Sequence, residues 1–288
     1  MAQFLANGLV AGFGYALVAL ALQIAYLPSR FLNFSLGGML AAGAYFTYFA
    51  NARLFLPIFV SILIGVLLVA SLGLLIDVVF FKPLRRHQAN SGVLLICSLG
   101  VYICIQNGIS ICFGDDFKSF HDERATESLN LAGVRLTSVQ LMICAVSVAS
   151  FIGMWFLFRY SRFGRHIKAV ADDPTLAVVC GVKVNYVMCV ASGIASMFAG
   201  IAGICMAFDV DMAPTMGLNP MMAGAVAMIV GGEKRLWSTL LGGLCLGVLQ
   251  HLVVWKIGSL WQNAIVFAVL VVFLTLKNSV LFAKAKTL

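Results

Sequence analysis

The chain has 288 residues and a net charge of +8, and 62% of it is hydrophobic before its 27 glycines are added. Ordinary globular domains hold about 45–50% apolar residues with glycine included and about 25% charged residues, against 10% here. A soluble two-domain protein is excluded, and no polar stretch is long enough for a separate soluble domain. The chain reads as all-α: a polytopic transmembrane bundle of eight or nine spans, some short or re-entrant, in one domain over 1–288.

Apolar runs fall at 4–27, 31–50, 54–81, 91–113, 138–158, 187–208, 221–231, 238–255 and 263–276. Most reach the ~17–25 residues that cross a bilayer as a helix. Gly8, Gly12 and Gly14 punctuate the first run, Gly37, Gly38 and Gly43 the second, and Gly242, Gly243 and Gly247 the eighth. Small residues at such spacing let helices approach closely. The first run has no basic leader and no clear cleavage site, so it reads as a retained span. Asp77 is the one acid inside a run. It lies near an end beside Lys82, so a position at headgroup level is expected.

Short segments break the pattern of long spans. Leu32-Asn33-Phe34 precedes one glycine-rich run, and Leu218-Asn219-Pro220 precedes the short run 221–231. Paired short segments of opposite orientation point to a transport pathway built from broken helices. The candidates to line it are Asn33, Ser35 and Asn219, with Gln23, Gln106, Asn107 and Gln250 behind them. Each has a plainer role open to it, an interhelical hydrogen bond.

The charge divides across the loops. Taking loops alternately, one side holds Arg30, Lys82, Arg85, Arg86, Arg159, Arg162, Arg165, Lys168, Lys183, Lys234, Arg235, Lys277, Lys284 and Lys286. That is fourteen of the 19 basic residues, and Arg53, Lys118, Arg124, Arg135 and Lys256 are on the other. The first side is cytoplasmic by the positive-inside rule. Loop 114–137 is then external, 159–186 is the largest internal loop, and the C-terminus is inside. The N-terminus is outside if 31–50 crosses fully and inside if that run re-enters. This partition explains the net charge and removes nucleic acid as a partner; membrane lipid takes its place.

Enzymatic signatures are absent: no phosphate-binding loop, nucleophile elbow or zinc-protease helix occurs. The eight cysteines show no metal spacing and read as small apolar residues. The informative stretch is the internal loop. Asp172 or Asp173 followed by Pro174 reads as a helix N-cap with proline in the first turn. A short helix over 175–180 follows, and Gly181 stops it.

This segment resembles the cytoplasmic coupling region of ABC importer permeases. Gly164-Arg165, then Ala169-Val-Ala-Asp-Asp173-Pro174, then Ala177 and Gly181 are similar to the branched-chain amino acid permease family. The opening Asn7-Gly8, Gly14-Tyr15-Ala16-Leu17 and Asn33-Phe34-Ser35-x-Gly37-Gly38 resembles that family too. So does the late block Gly231-Gly232 and Gly242-Gly243-x3-Gly247, although Glu233 to Trp237 interrupt it where small residues are commoner. The resemblance covers about residues 4–276. It implies a non-enzymatic permease subunit of the bacterial inner membrane, multi-pass, forming half of a pathway. The implied partners are a second permease, two cytoplasmic ATPases that use ATP and magnesium, and a periplasmic solute-binding protein. The chain itself is expected to bind no cofactor. Gly164, Arg165, Ala169, Asp173, Pro174, Ala177 and Gly181 would couple it to the ATPases. The cargo would be branched-chain or other amino acids, urea or short amides, which fits a pathway without deep charge. A self-contained channel or secondary transporter is the alternative. It predicts flux without ATPases, though secondary transporters place charges in mid-span.

Overall fold

The computed structural model describes residues 2–120, 128–131, 134–233, 235–258 and 261–285. Every apolar run falls on a helix. In chain order these are α1 (Ala2–Ser29), α2 (Ser35–Ala52) and α3 (Ile58–Ile76), which continues through a π turn (Asp77–Phe81) into α4 (Lys82–Arg86). Then come α5 (Ser91–Phe113), a two-stranded hairpin of β1 (Ser128–Leu131) and β2 (Val134–Thr137), and α6 (Ser138–Tyr160). α7 (Arg162–Asp172), α8 (Pro174–Val179), α9 (Val184–Asp209), α10 (Leu218–Gly231), α11 (Leu236–Ile257) and α12 (Gln262–Ala285) complete the chain. Six of these helices are long and apolar enough to cross a membrane, and α10 and the first part of α12 are shorter apolar helices. The protein is a multi-pass membrane protein.

Helix ends follow local chemistry. Thr137 and Gln140 form a capping box that opens α6. Gly114, Gly232 and Gly258 end α5, α10 and α11 with φ of 82°, 97° and 111°, a backbone region that side chains disfavour.

α1 is the central helix, packed against α6, α9, α10 and α11. Glycine sets its closest approach, to α11: a Cβ on Gly247 would lie 2.5 Å from both the Gly12 Cα and the Gly8 carbonyl oxygen, and one on Gly243 would lie 2.7 Å from Ala16. A second close approach joins α2 to α9, where a Cβ on Gly43 would lie 2.6 Å from the Gly200 Cα. α3, α5 and α6 form the rim and expose Leu63, Leu67, Ile96, Ile103, Ile152 and Phe156.

The two ends of the bundle differ in charge. One end gathers Arg30, Arg85, Arg159, Arg165, Lys168 and Arg235, with the Arg30 guanidinium on the Ala171 carbonyl oxygen and 3.7 Å from Glu233. The other end holds Asp115, Asp116, Asp209 and Asp211, beside a backbone bridge from Lys118 to Met212. α1 runs from the acidic end to the basic end, and α12 runs the same way, its Val269 and Leu270 packing near Val230 at the end of α10. The hairpin lies within the stretch read as a plain polar loop. Residues 121–127 and 132–133 of that stretch, including Asp122, Glu123 and Glu127, lie outside the described residues, as do Lys234 and Lys286.

Asp77 finds a partner other than the neighbouring Lys82. It is buried and forms a two-pronged ion pair with Arg85, at 2.9 and 2.6 Å, rather than facing Lys82. The π turn adds a residue to the helical repeat between the two partners. Burial next to a fixed guanidinium leaves the carboxylate no lone proton-relay role.

Candidate functional site

Two features stand out: a junction inside the bundle and a helical hairpin at its basic end. The junction is made by the first turns of α2 and α10. The chain leaves α1 at the basic end and climbs through Arg30–Phe34 into the interior, where α2 begins. Asn33 Oδ1 accepts hydrogen bonds from the Ser35 backbone N–H (3.1 Å) and hydroxyl (2.6 Å), which caps α2 with a side chain two residues upstream. The Phe34 N–H donates to Ser98 Oγ at 3.1 Å and ties that turn to α5. α2 then runs to the acidic end, where Tyr45 and Phe49 meet Phe113.

α10 mirrors it. The chain enters from the acidic end through 210–217, and α10 runs to the basic end, where Gly231 touches Ser238 and Thr239. The two helices meet start to start. A Cβ on Gly217 would collide with the Gly37 carbonyl, and one on Gly37 would lie 3.2 Å from the Gly217 carbonyl oxygen. Both segments therefore traverse the bundle, each as a non-helical stretch followed by a helix, of 18 residues in α2 and 14 in α10. With 31–50 crossing, the N-terminus lies at the acidic end.

Asn33 and Ser35 are buried at this junction and bond to each other, whereas Asn219 is exposed on the first turn of α10. Asn219 borders a cavity of about 450 Å3 at the acidic end, together with Asn7, Tyr15, Gln140, Asp209 and His251. That volume is within the range of small-molecule sites, about 300–1,000 Å3. The other pathway candidates lie apart. Gln23 borders a separate cavity at the basic end. Gln250 is buried between α11 and α12 and donates to the Gln262 carbonyl at 3.2 Å. Asn107 is exposed on α5 and donates to the Ile103 carbonyl at 2.8 Å, with Gln106 half-buried beside it. The structure thus does not assemble the seven into one lining.

The basic-end hairpin is more ordered than its sequence suggests. Residues 162–172 form α7, which sequence reasoning left as loop. Ser161 Oγ caps it by accepting the Gly164 N–H at 2.9 Å. Gly164, Ile167, Val170 and Ala171 face inward; this three-to-four-residue spacing was the available signal. Gly164 has no room for a Cβ, which would lie 2.6 Å from the Phe158 Cα at the end of α6.

α8 matches the expected short helix. Asp173 Oδ1 accepts from the Thr175 hydroxyl (2.6 Å), the Thr175 N–H (2.7 Å) and the Leu176 N–H (3.2 Å). These bonds, the Thr175 hydroxyl first, hold the Asp173 carboxyl below its ordinary range. Pro174 takes the first helical position, and Gly181 ends the element with φ of 80°. Ala177 is buried and fixes α8 in place. Arg165 and Ala169 are exposed on α7. Leu176, Val178 and Val179 are 63%, 60% and 82% exposed, so α8 presents an apolar knob beyond the basic end.

No group of acids, histidines and cysteines able to hold a metal ion occurs among the described residues. The geometry is that of a membrane-embedded permease, with two helix starts meeting inside and a capped helix outside.

Residues 4–274 match the family described as branched-chain amino acid transport system / permease component, and the chain belongs to that family. It is similar to the high-affinity branched-chain amino acid transport system permease LivH of Salmonella typhimurium, 26% identical over 94% of this chain and 92% of the relative. It is also similar to BraD of Pseudomonas aeruginosa, of the same description, at 24% with the same coverage. The ribose import permease RbsC of Escherichia coli is 24% identical over 82% of this chain and 73% of its own. Among solved structures, PsaBC from Streptococcus pneumoniae in complex with Fab shares the fold, with a TM-score of 0.51 and 14% identity over 94% of this chain and 91% of that one.

Proposed function

We propose that the chain is one permease half of an ATP-driven importer, working with a second permease, two cytoplasmic ATPases and an external binding protein. The observation that carries this reading is α8. A soluble surface rarely keeps three large apolar side chains on one six-residue helix unless a partner covers them. The positive-inside rule supports a cytoplasmic basic side; on that reading the knob faces an ATPase groove and the C-terminus lies in the cytoplasm. Closure of the ATPases would pull on α7–α8, and Gly164 passes that motion straight to the end of α6. This is a rigid-body route to alternating access.

The cargo is a branched-chain amino acid, the solute named for LivH and BraD. The cavity at the acidic end, bordered by Asn219, faces the side from which a binding protein would deliver it. A zwitterion suits a bundle whose one buried acid within a span, Asp77, is already paired.

The test is the assembled importer in proteoliposomes with labelled leucine and a ribose control. Leu176→Asp and Val179→Asp together should leave the protein in the membrane but abolish ATPase copurification and leucine uptake. Full uptake by this variant would sink the coupling assignment. Leucine flux through the chain alone would favour the channel alternative, and ribose uptake in place of leucine would overturn the cargo.

A further inference from the structure

The basic end holds a second cavity, of about 640 Å3, between α1, α6, α7 and the start of α11. Arg159, Arg165, Lys168 and Arg235 all border it, and no acid does. Positive-inside bias accounts for the number of cations at this end but not for their convergence from two helices and a loop onto one hollow. Among the described residues the two ion pairs lie elsewhere, Arg30 with Glu233 and Arg85 with Asp77. Arg159 lies over the Trp155 ring at 5.2 Å, a cation–π contact that holds the guanidinium without neutralising it.

Apart from Gln23 and Ser238, the other walls are apolar. Trp155 and Trp237 border the cavity, and Trp237 and Leu241 are also exposed on the outside of the bundle. Tryptophan at this depth marks the level of lipid headgroups. Gln23 adds a polar group of another kind. Its side chain is fully buried, its Nε2 donates to the Glu233 carbonyl at 2.9 Å, and its Oε1 has no hydrogen-bond partner. With one amide N–H held by the Glu233 carbonyl, the unpartnered oxygen is an acceptor on a residue that borders the cavity. A buried acceptor without a donor is costly. A phosphodiester has no proton to give it, whereas a hydroxyl on the headgroup does.

We infer that this cavity binds an anionic phospholipid with a glycerol headgroup. The phosphate sits among Arg159, Arg165, Lys168 and Arg235, a headgroup hydroxyl donates to Gln23 Oε1, and the acyl chains leave past Trp237 and Leu241. The lipid wedges between α6–α7 and α11, so it ties the hairpin to the bundle. The inference rests on the membrane fold and stands apart from the coupling proposal.

The test is native mass spectrometry of the purified chain in detergent, without ATPase subunits. The probes are phosphatidylglycerol, zwitterionic phosphatidylethanolamine, phosphatidylmethanol (anionic, without a headgroup hydroxyl) and inorganic phosphate. One phosphatidylglycerol should bind in preference to the others. Each cation near such a surface gives about a fivefold gain in affinity. Combined Arg159→Gln, Lys168→Gln and Arg235→Gln should therefore weaken phosphatidylglycerol about a hundredfold. The combination of Arg159→Lys and Arg235→Lys should retain it. Arg235→Gln alone, at an exposed residue, should weaken it about fivefold and covers the case in which the triple variant does not fold. Gln23→Leu should bring phosphatidylglycerol down to the level of phosphatidylmethanol and leave phosphatidylmethanol unchanged. Equal binding of phosphatidylglycerol and phosphatidylethanolamine, or undiminished binding by the charge variants, would overturn the site. Displacement by equimolar inorganic phosphate would make it a free-anion site. An unchanged Gln23→Leu preference would overturn the headgroup assignment.

Discussion

Between α1 and α11 the backbone itself is the contact surface, whereas α7 and α8 are held by side-chain caps. The first interface has no adjustable parts: Gly8, Gly12, Gly243 and Gly247 leave nothing to rotate. The second is hydrogen-bonded by Ser161 and Asp173 and stopped by a left-handed Gly181. Close backbone packing suits a bundle that must move as a unit. A capped, exposed helix suits a surface that must be gripped and released. The difference teaches where substitutions will be felt, in folding at the first and, on the function proposed above, in coupling at the second.

Gly247→Leu should break the comparison most severely. Overpacking costs about 1–3 kcal/mol and occasionally more, and here backbone blocks every side, so most of the folded protein should be lost. Melting in detergent checks this against Gly100→Leu, where nothing lies within 4 Å and the shift should be small. Gly181→Ala comes next. It forces a side chain into the left-handed region at about 1–2 kcal/mol, so α8 should fray and uptake should fall while the bundle melts as before. Proteolysis at 174–181 against the global melt separates the two.

The mildest change is Asp173→Asn. The folded carboxyl titrates below its unfolded value, so the ionised cap stabilises α8 above the unfolded pKa and is lost as pH falls through the folded one. Hydrogen exchange at Thr175 and Leu176 should show this loss below the ordinary carboxylate range in the wild type. The Asn variant should keep a cap whose protection does not change with pH. An acid-dependent Asn variant would assign the transition to another group.

The spans and the Asp173–Gly181 helix were legible in sequence because hydropathy and capping are local. α7 was hidden by its charges: Arg162, Arg165, His166 and Lys168 fill its outer face and mask the spacing of Ile167, Val170 and Ala171. The Asp77–Arg85 pair was missed because a π turn shifts the repeat on which pairing rules depend. The junction of α2 and α10 was only hinted at by two short motifs. Gly37 and Gly217 are far apart in sequence, and no local pattern reports a contact between distant backbones. The same limit explains why the pathway candidates scatter: residue type suggested polarity, but not which helix face would carry it.

The head-on meeting of α2 and α10 also shapes the field inside the bundle. Each helix start carries roughly half a positive elementary charge, and here two such ends abut at Gly37 and Gly217, both buried. Their potentials add, and no acidic side chain is among the nearest neighbours of either glycine. A proton or sodium ion that wandered to this depth would meet repulsion from both directions, while a carboxylate would be drawn in. In the importer proposed above, which would open and close many times in an energised membrane, such a barrier would limit ion leak at each cycle.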